Sequence, residues 1–104
     1  MSNKKFPETI QIGGLDYDLL FIHNLFDGDT KLNGHMESHI ARLSVEDGLP
    51  DSVKRVVIWH EIIHEILDQA GHSDHDEAHV MALGYGIMAV LKHNDFLRQQ
   101  SNVV

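Results

Sequence analysis

The residues best suited by type and spacing to bind a metal or to catalyse a reaction lie in the run His60-Glu61-Ile62-Ile63-His64. In an α-helix, side chains four residues apart lie one above the other, with Cβ atoms about 5–6 Å apart. Two imidazoles at that spacing can bind one ion, each through a nitrogen at about 2.0–2.1 Å. Glu61 is rotated to the side of such an ion, where it can reach a water molecule and act as a general base. The pattern therefore predicts a zinc site with His60 and His64 as ligands and Glu61 as the catalytic base.

A catalytic zinc also needs a third protein ligand and an open position for water. The acidic and histidine side chains that follow the motif are His72, His75, Asp76, Glu77 and His79. We choose Glu77, because it lies about one turn into a second predicted helix whose apolar face can pack on the first. His79 is the runner-up. His72 and His75 fall in the link between the helices, where a histidine is more often exposed than bound to a metal.

The first of these two helices has recognisable signals at both ends. The turn sequence Asp-Gly-Leu-Pro at residues 47–50 precedes it. Asp51 or Ser52 is predicted to cap its N-terminus, and Gly71 suits the C-terminal cap. Apolar residues recur at helical spacing between these points, and they share one face with the motif histidines. We therefore predict a motif helix over about residues 51–70.

The second helix is predicted over about residues 74–97. Ser73 or Asp74 is the predicted N-cap, and acidic residues fill the first turn, as the helix dipole favours. Residues 80–91 are apolar on every side. A helix of that kind is usually buried, so we predict that it forms the central element of the core.

The N-terminal half of the chain is predicted to form strands. Thr9–Ile12 and Leu15–Ile22 flank a Gly-Gly pair, which is typical of a β-hairpin because glycine readily adopts the positive φ of a tight turn. A third strand is predicted within residues 34–44. Together these segments indicate a small antiparallel sheet of about three strands in residues 8–45.

The predicted fold class is therefore α+β: a small antiparallel sheet followed by two packed helices, in a single domain over residues 1–104. The net charge of −8, with only eight Lys and Arg, argues against a nucleic-acid partner. No cysteine is present, so histidines and carboxylates are the strong metal ligands available. No apolar run is long enough for a signal peptide or a membrane span, and we expect a cytoplasmic protein.

The two motif histidines together with Glu77 resemble the ligand set of the gluzincin branch of the zincin metallopeptidases. The order of strands, motif helix and acid-bearing helix resembles the small ImmA/IrrE-type metallopeptidases and related zincin-like proteins of phages and prophages. The resemblance covers roughly residues 32–97 and is specific at the five-residue motif. It implies that His60, His64 and Glu77 bind one zinc ion per chain, that Glu61 is the general base, and that the partner is a peptide or protein substrate.

Two features depart from the gluzincin pattern. The interval between His64 and Glu77 is short, and Met81 stands where an Asp often follows four residues after the ligand Glu. That Asp holds a metal-binding histidine by a hydrogen bond, so another residue must take its place. The candidates are Asp68, Asp76 and Glu65.

Three functions are compatible with these residues. The first is a zinc-dependent metallopeptidase, whose substrate adds as an extended strand to the edge formed by the third predicted strand. The second is a non-catalytic, metal-stabilised regulatory or interaction module of phage or prophage type, in which four protein ligands, for example with both Glu77 and His79, would close the site. The third is a metal buffer that uses many of the nine histidines and binds more than one ion.

Overall fold

The computed structural model describes residues 6–72 and 74–98, without the side chain of Arg98, and these residues form an α+β fold. The predicted fold class is confirmed. The outer parts of the predicted domain, residues 1–5 and 99–104, and the proposed cap Ser73 lie outside the described residues. The strands are β1 (Thr9–Ile12), β2 (Leu15–Ile22), β3 (Phe26–Asp27), β4 (Thr30–Lys31), β5 (Gly34–Glu37) and β6 (Arg42–Glu46). The helices are α1 (Asp51–Gln69), α2 (Glu77–His93) and α3 (Asp95–Arg98).

The main sheet has four strands in the order β1-β2-β6-β5. The predicted hairpin of β1 and β2 is present, and β5 pairs with β6 in the antiparallel sense. However, β2 and β6 are parallel, with Leu19 opposite Leu43. The prediction of a purely antiparallel sheet of about three strands was therefore wrong: the sheet is mixed, and β3 and β4 form a second, two-stranded sheet.

The segment 34–44, predicted as one strand, is interrupted in the middle. A short 3₁₀ turn occupies Ser38–Ile40, and Ala41 follows in the left-handed conformation with a φ of 50°. This turn reverses the chain, so β6 runs back between β2 and β5. As a consequence β5 lies at one edge of the sheet, beside α1.

The motif helix α1 begins and ends close to the predicted positions. Gly71 has a φ of +89°, as expected for a glycine that ends a helix. The predicted N-cap was wrong, because Pro50 occupies that position and forms no side-chain cap hydrogen bond. Ile58 packs on Leu19 and Leu43 of the sheet, so one face of α1 closes the core.

The second helix differs more from the prediction. It begins at Glu77, because the Asp76 side chain caps it by accepting hydrogen bonds from the amides of Ala78 and His79; the proposed cap Asp74 is not used. The predicted helix to residue 97 is divided at Asn94, which has a φ of −137°.

The prediction that the apolar middle of this helix is the buried central element was wrong. Only Val80 and Gly84 of α2 are buried, whereas Leu83 and Val90 are 52% and 49% exposed. The reason is the position of α1, which covers the sheet and leaves α2 in contact with one side of α1. No described helix has the length and apolar content that crossing a membrane requires.

A buried polar network attaches α1 to the sheet next to the motif. The Tyr17 hydroxyl donates to Oε2 of Glu65 at 2.5 Å, and the Ser38 hydroxyl donates to Oε1 at 2.7 Å. Gln69 donates to the Tyr17 oxygen at 2.9 Å. Burial and the neighbouring Glu65 raise the pKa of Tyr17, so its hydroxyl stays a donor. These bonds fix the rotation of α1, and therefore the direction in which the adjacent His64 points.

A second buried carboxylate holds the loop that leads into β5. Glu46 pairs with Lys31 and accepts hydrogen bonds from the backbone amides of Leu25 and Gly48, each at 2.9 Å. Its own amide donates to the carbonyl of Asn33, directly before β5. The bond from Lys31, followed by the two amide bonds, lowers the pKa of Glu46 to about 2.

This depressed pKa predicts an acid-sensitive contribution to stability. Because the folded-state pKa lies below the unfolded value of about 4.3, the stabilisation is complete above that pH and disappears as the pH falls towards 2. We expect Glu46→Gln to lower the free energy of unfolding at pH 7 and to flatten its dependence on pH between about 4.5 and 2. Urea unfolding at a series of pH values, with Asp29→Asn in the exposed part of the same loop as control, measures both effects. Parallel curves for Glu46→Gln and wild type would contradict the assignment.

Candidate metal centre

The two motif histidines lie on the face of α1 that meets the start of α2. Both rings are half-buried, and their centroids are 4.7 Å apart. Nε2 of His60 lies 3.1 Å from Nε2 of His64. The helical spacing that suggested a shared ion therefore does bring the two nitrogen atoms together, as the four-residue interval predicts.

Glu77, the predicted third ligand, reaches the same point from α2. One carboxylate oxygen lies 3.0 Å from Nε2 of His60, and the other lies 2.7 Å from Nε2 of His64. Glu77 is the first residue of α2, and the Asp76 cap sets where this helix begins. The cap therefore places the carboxylate over the histidines. One ligand atom from each of the three residues lies within 4.8 Å of the other two.

The three residues could hold a divalent ion. Ligand atoms that bind one ion at about 2.0–2.1 Å in tetrahedral directions lie about 3.3 Å from one another, close to the observed separations. Two imidazoles and a carboxylate suit zinc, and also iron, nickel or manganese. Among the described residues, His60, His64 and Glu77 are the one group of potential ligands that converges in this way.

The other candidates for the third ligand are not in this group. The side chain of the runner-up, His79, is 82% exposed, and its Nδ1 lies 3.6 Å from a carboxylate oxygen of Asp76. Asp76 is occupied as the N-cap of α2. His72 is exposed, as predicted for the link. The geometry therefore selects Glu77 from the five candidates and leaves the role of His79 as a fourth ligand without support.

Glu61, the predicted base, is half-buried between α1 and β5. It borders a cavity of about 180 Å³ that also contacts His60. The remaining residues that line this cavity are Asn33, Gly34, Val56, Val57 and Met81. Burial raises the pKa of the Glu61 carboxyl, the neighbouring His60 and His64 oppose the rise, and the negative charge of Glu77 adds to it.

The absence of a side chain at Gly34 makes room for the side chains of Val57 and Glu61. A Cβ atom at this position would lie 2.5 Å from a methyl group of Val57 and 3.3 Å from Cγ of Glu61. The first distance is shorter than any real contact, so a side chain here would displace Val57 and press on Glu61. A glycine at the start of β5 is therefore required by the close approach of the strand to the motif helix.

His75 has a place that sequence reasoning missed. It was expected to be exposed in the link, but its side chain is only 8% exposed. Its Nδ1 lies 2.5 Å from Nδ1 of His64, and the two rings meet edge to edge with centroids 4.8 Å apart. On its other side, Nε2 is bonded to the carbonyl oxygen of His72 and lies 3.3 Å from Asp68 Oδ1. The one sequence signal was Asp68, which is four residues after His64 and therefore on the same face of α1.

The three acids proposed to hold a ligand histidine have other roles. Glu65 belongs to the buried network with Tyr17, and Asp76 caps α2. Asp68 approaches His64 only through His75. Nδ1 of His60 is buried and has no hydrogen-bond partner in the described part of the chain. The two motif histidines therefore differ at Nδ1, because that of His64 contacts His75 whereas that of His60 has no hydrogen-bond partner in the described residues.

Comparisons of the chain with models of protein families, with curated proteins and with solved structures found no match. The centre is thus defined by its own geometry: two imidazoles and one carboxylate converge, and a second carboxylate lies beside them at the edge of the sheet.

Proposed function

We propose that this protein is a zinc-dependent metallopeptidase of the gluzincin type. His60, His64 and Glu77 would hold the ion, and Glu61 would act as the general base. The observation that carries the proposal is the convergence of these three ligands beside a half-buried carboxylate that lines a cavity. A zincin relationship also rests on the resemblance of the five-residue motif.

The number of converging ligands favours an enzyme over a purely structural site. Structural zinc sites usually have four protein ligands, whereas catalytic sites have three and keep one position for water or substrate. The described residues supply three. His79, which would close the site as a fourth ligand, is directed to Asp76 instead.

The residues around the centre suit the hydrolysis of a peptide bond. Zinc at this site would supply Lewis-acid chemistry, polarising the scissile carbonyl and lowering the pKa of the attacking water. Glu61 accepts the proton that this water loses and donates it to the leaving amine. Its half-buried position beside His60 keeps the carboxylate close to the reacting atoms and limits its exchange with bulk solvent.

The sheet edge supplies a binding surface for an extended peptide. The order of the strands leaves one edge of β5 without a strand partner in the described residues, and Gly34 at its start borders the cavity beside Glu61. A peptide strand added to β5 would place a side chain at this cavity. Val56, Val57 and Met81 give the cavity apolar walls, which favours a substrate with an apolar side chain next to the scissile bond.

A second candidate function is a non-catalytic, metal-stabilised regulatory or interaction module of phage or prophage type. The observation that favours it is the exposed apolar side of α2, where Leu83 and Val90 border an open groove of about 690 Å³. Apolar side chains grouped on an exposed helix face can mark an interaction site. A metal buffer is less well supported, because the histidines outside the centre form no converging group in the described residues.

Metal content and hydrolysis of the purified protein test the proposal together. We expect one tightly bound zinc per chain, cleavage of an unfolded polypeptide next to apolar residues, loss of cleavage with a chelator, and recovery on adding zinc. One bound ion without cleavage would favour the interaction module. A protein that binds no ion would contradict both functions, and several ions of similar affinity would indicate a buffer.

A further inference from the structure

We infer that His75, supported by Asp68, is a positioning residue that holds His64 in the tautomer and orientation needed to bind a metal. The inference rests on the metal centre proposed above, and it assigns a role to a side chain outside the predicted motif. It starts from the 2.5 Å separation between Nδ1 of His75 and Nδ1 of His64.

The acceptors next to Nε2 of His75 determine which nitrogen of each ring carries the hydrogen. Its Nε2 faces two acceptors, the carbonyl oxygen of His72 and a carboxylate oxygen of Asp68 at 3.3 Å. That nitrogen must therefore carry a hydrogen and donate it. In a neutral imidazole the other nitrogen is then an acceptor, so Nδ1 of His75 can only accept the hydrogen bond from His64.

The consequence for His64 is a defined metal-binding state. Because Nδ1 of His64 donates to His75, the hydrogen of the neutral ring is on Nδ1, and Nε2 has the electron pair that a metal ion would bind. Nε2 is the atom directed at Glu77 and His60. The bond also fixes the orientation of the ring, as an outer partner of a metal-binding histidine does.

The surroundings of His75 restrict it to this arrangement. Its side chain is almost fully buried although it lies in the link before α2. Its ring meets that of His64 edge to edge through the two Nδ1 atoms, with the ring planes only 25° apart. Asp68 extends from the next turn of the same helix as His64, so it can reach His75 from the side opposite to His64. Met81 supplies no polar group from α2, and the second partner of His64 therefore comes from the link between the helices.

Zinc affinity of full-length variants, measured by competition with a chromophoric chelator, tests this role. We expect His75→Ala to weaken zinc binding by about 10–100-fold, the usual effect of losing the outer partner of a ligand histidine. His75→Asn should recover most of the affinity, because the amide oxygen can accept the same bond near the position of Nδ1. His79→Ala, which removes an exposed histidine from the same region, should bind like the wild type.

Two further measurements separate positioning from folding and from direct binding. Asp68→Ala alters a half-exposed side chain, and it should weaken zinc several-fold even if His75→Ala fails to fold. X-ray absorption of the zinc-loaded protein should count two imidazole ligands. Three imidazoles, or unchanged affinity in the folded His75→Ala and Asp68→Ala variants, would overturn the inference while leaving the metal centre intact. A wild type that binds no zinc would overturn both.

Discussion

Replacement of Glu61 by glutamine is expected to lower kcat/KM for peptide hydrolysis by about 10²–10⁴-fold, the range typical of a lost general base. Glutamine has nearly the same shape, so it should fit between α1 and β5 against Gly34 as the glutamate does. It cannot accept a proton from water, however. The zinc ligands are untouched, and the variant should keep one ion per chain. The loss should therefore appear in kcat more than in KM.

The comparison needs the same substitution at an acid that is far from the chemistry. Glu8→Gln provides it, because this side chain is exposed next to β1, and within the described residues its one hydrogen bond is from the amide of Leu19 to its backbone carbonyl. Zinc content and kcat/KM of Glu8→Gln should both match the wild type. Undiminished hydrolysis by Glu61→Gln would remove Glu61 from the role of base, whereas loss of zinc in that variant would show that the residue supports the metal instead.

The motif helix was predictable because its signals are local. The apolar spacing, the turn before it and Gly71 after it all depend on neighbouring residues, and α1 ends within one residue of the predicted position. The convergence of His60 and His64 follows from helix geometry alone. The prediction that Glu77 lies beside these two histidines needed an additional assumption, because the first turn of the second helix has to pack over the motif.

The strand order was not predictable from pattern. Alternation of apolar residues identifies a strand, but parallel pairing of β2 with β6 depends on a reversal at Ala41, a non-glycine residue with a φ of 50°. Such a conformation is uncommon outside glycine and has no periodic signature. The resulting position of β5 at the sheet edge matters for the proposed function, because this edge borders the cavity beside Glu61.

The exposure of α2 and the burial of His75 escaped prediction for a related reason. An apolar helix indicates that burial is favourable, but among the described residues α1 covers only one side of α2, and Leu83 and Val90 stay about half exposed. Conversely, a histidine in a polar link is usually exposed, and His75 is buried only because the link folds back on His64 and Asp68. Both outcomes depend on the packing of distant segments.

The second prediction with a large expected effect concerns Glu77. Loss of a residue that only hydrogen-bonds to a ligand weakens metal binding by about 10–100-fold. Glu77→Ala should weaken zinc binding by more than this, because it removes a ligand atom and the only negative charge among the three ligands. Hydrolysis should fall with metal occupancy at low zinc. The fold should persist, since this side chain is 68% exposed and the Asp76 cap still starts α2.

The pattern across three substitutions identifies how Glu77 acts. Glu77→Gln keeps one oxygen but loses the charge, so its zinc affinity should fall between those of wild type and Glu77→Ala. Glu77→Asp shortens the side chain at the first residue of a fixed helix, so it should bind zinc poorly although the charge is kept. Competition titration with a chelator, with circular dichroism to verify folding, gives this order directly. If Glu77→Ala bound zinc as tightly as the wild type while His79→Ala bound it weakly, His79 would be the third ligand instead of Glu77. Its exposed ring would then turn away from Asp76 towards the two motif histidines.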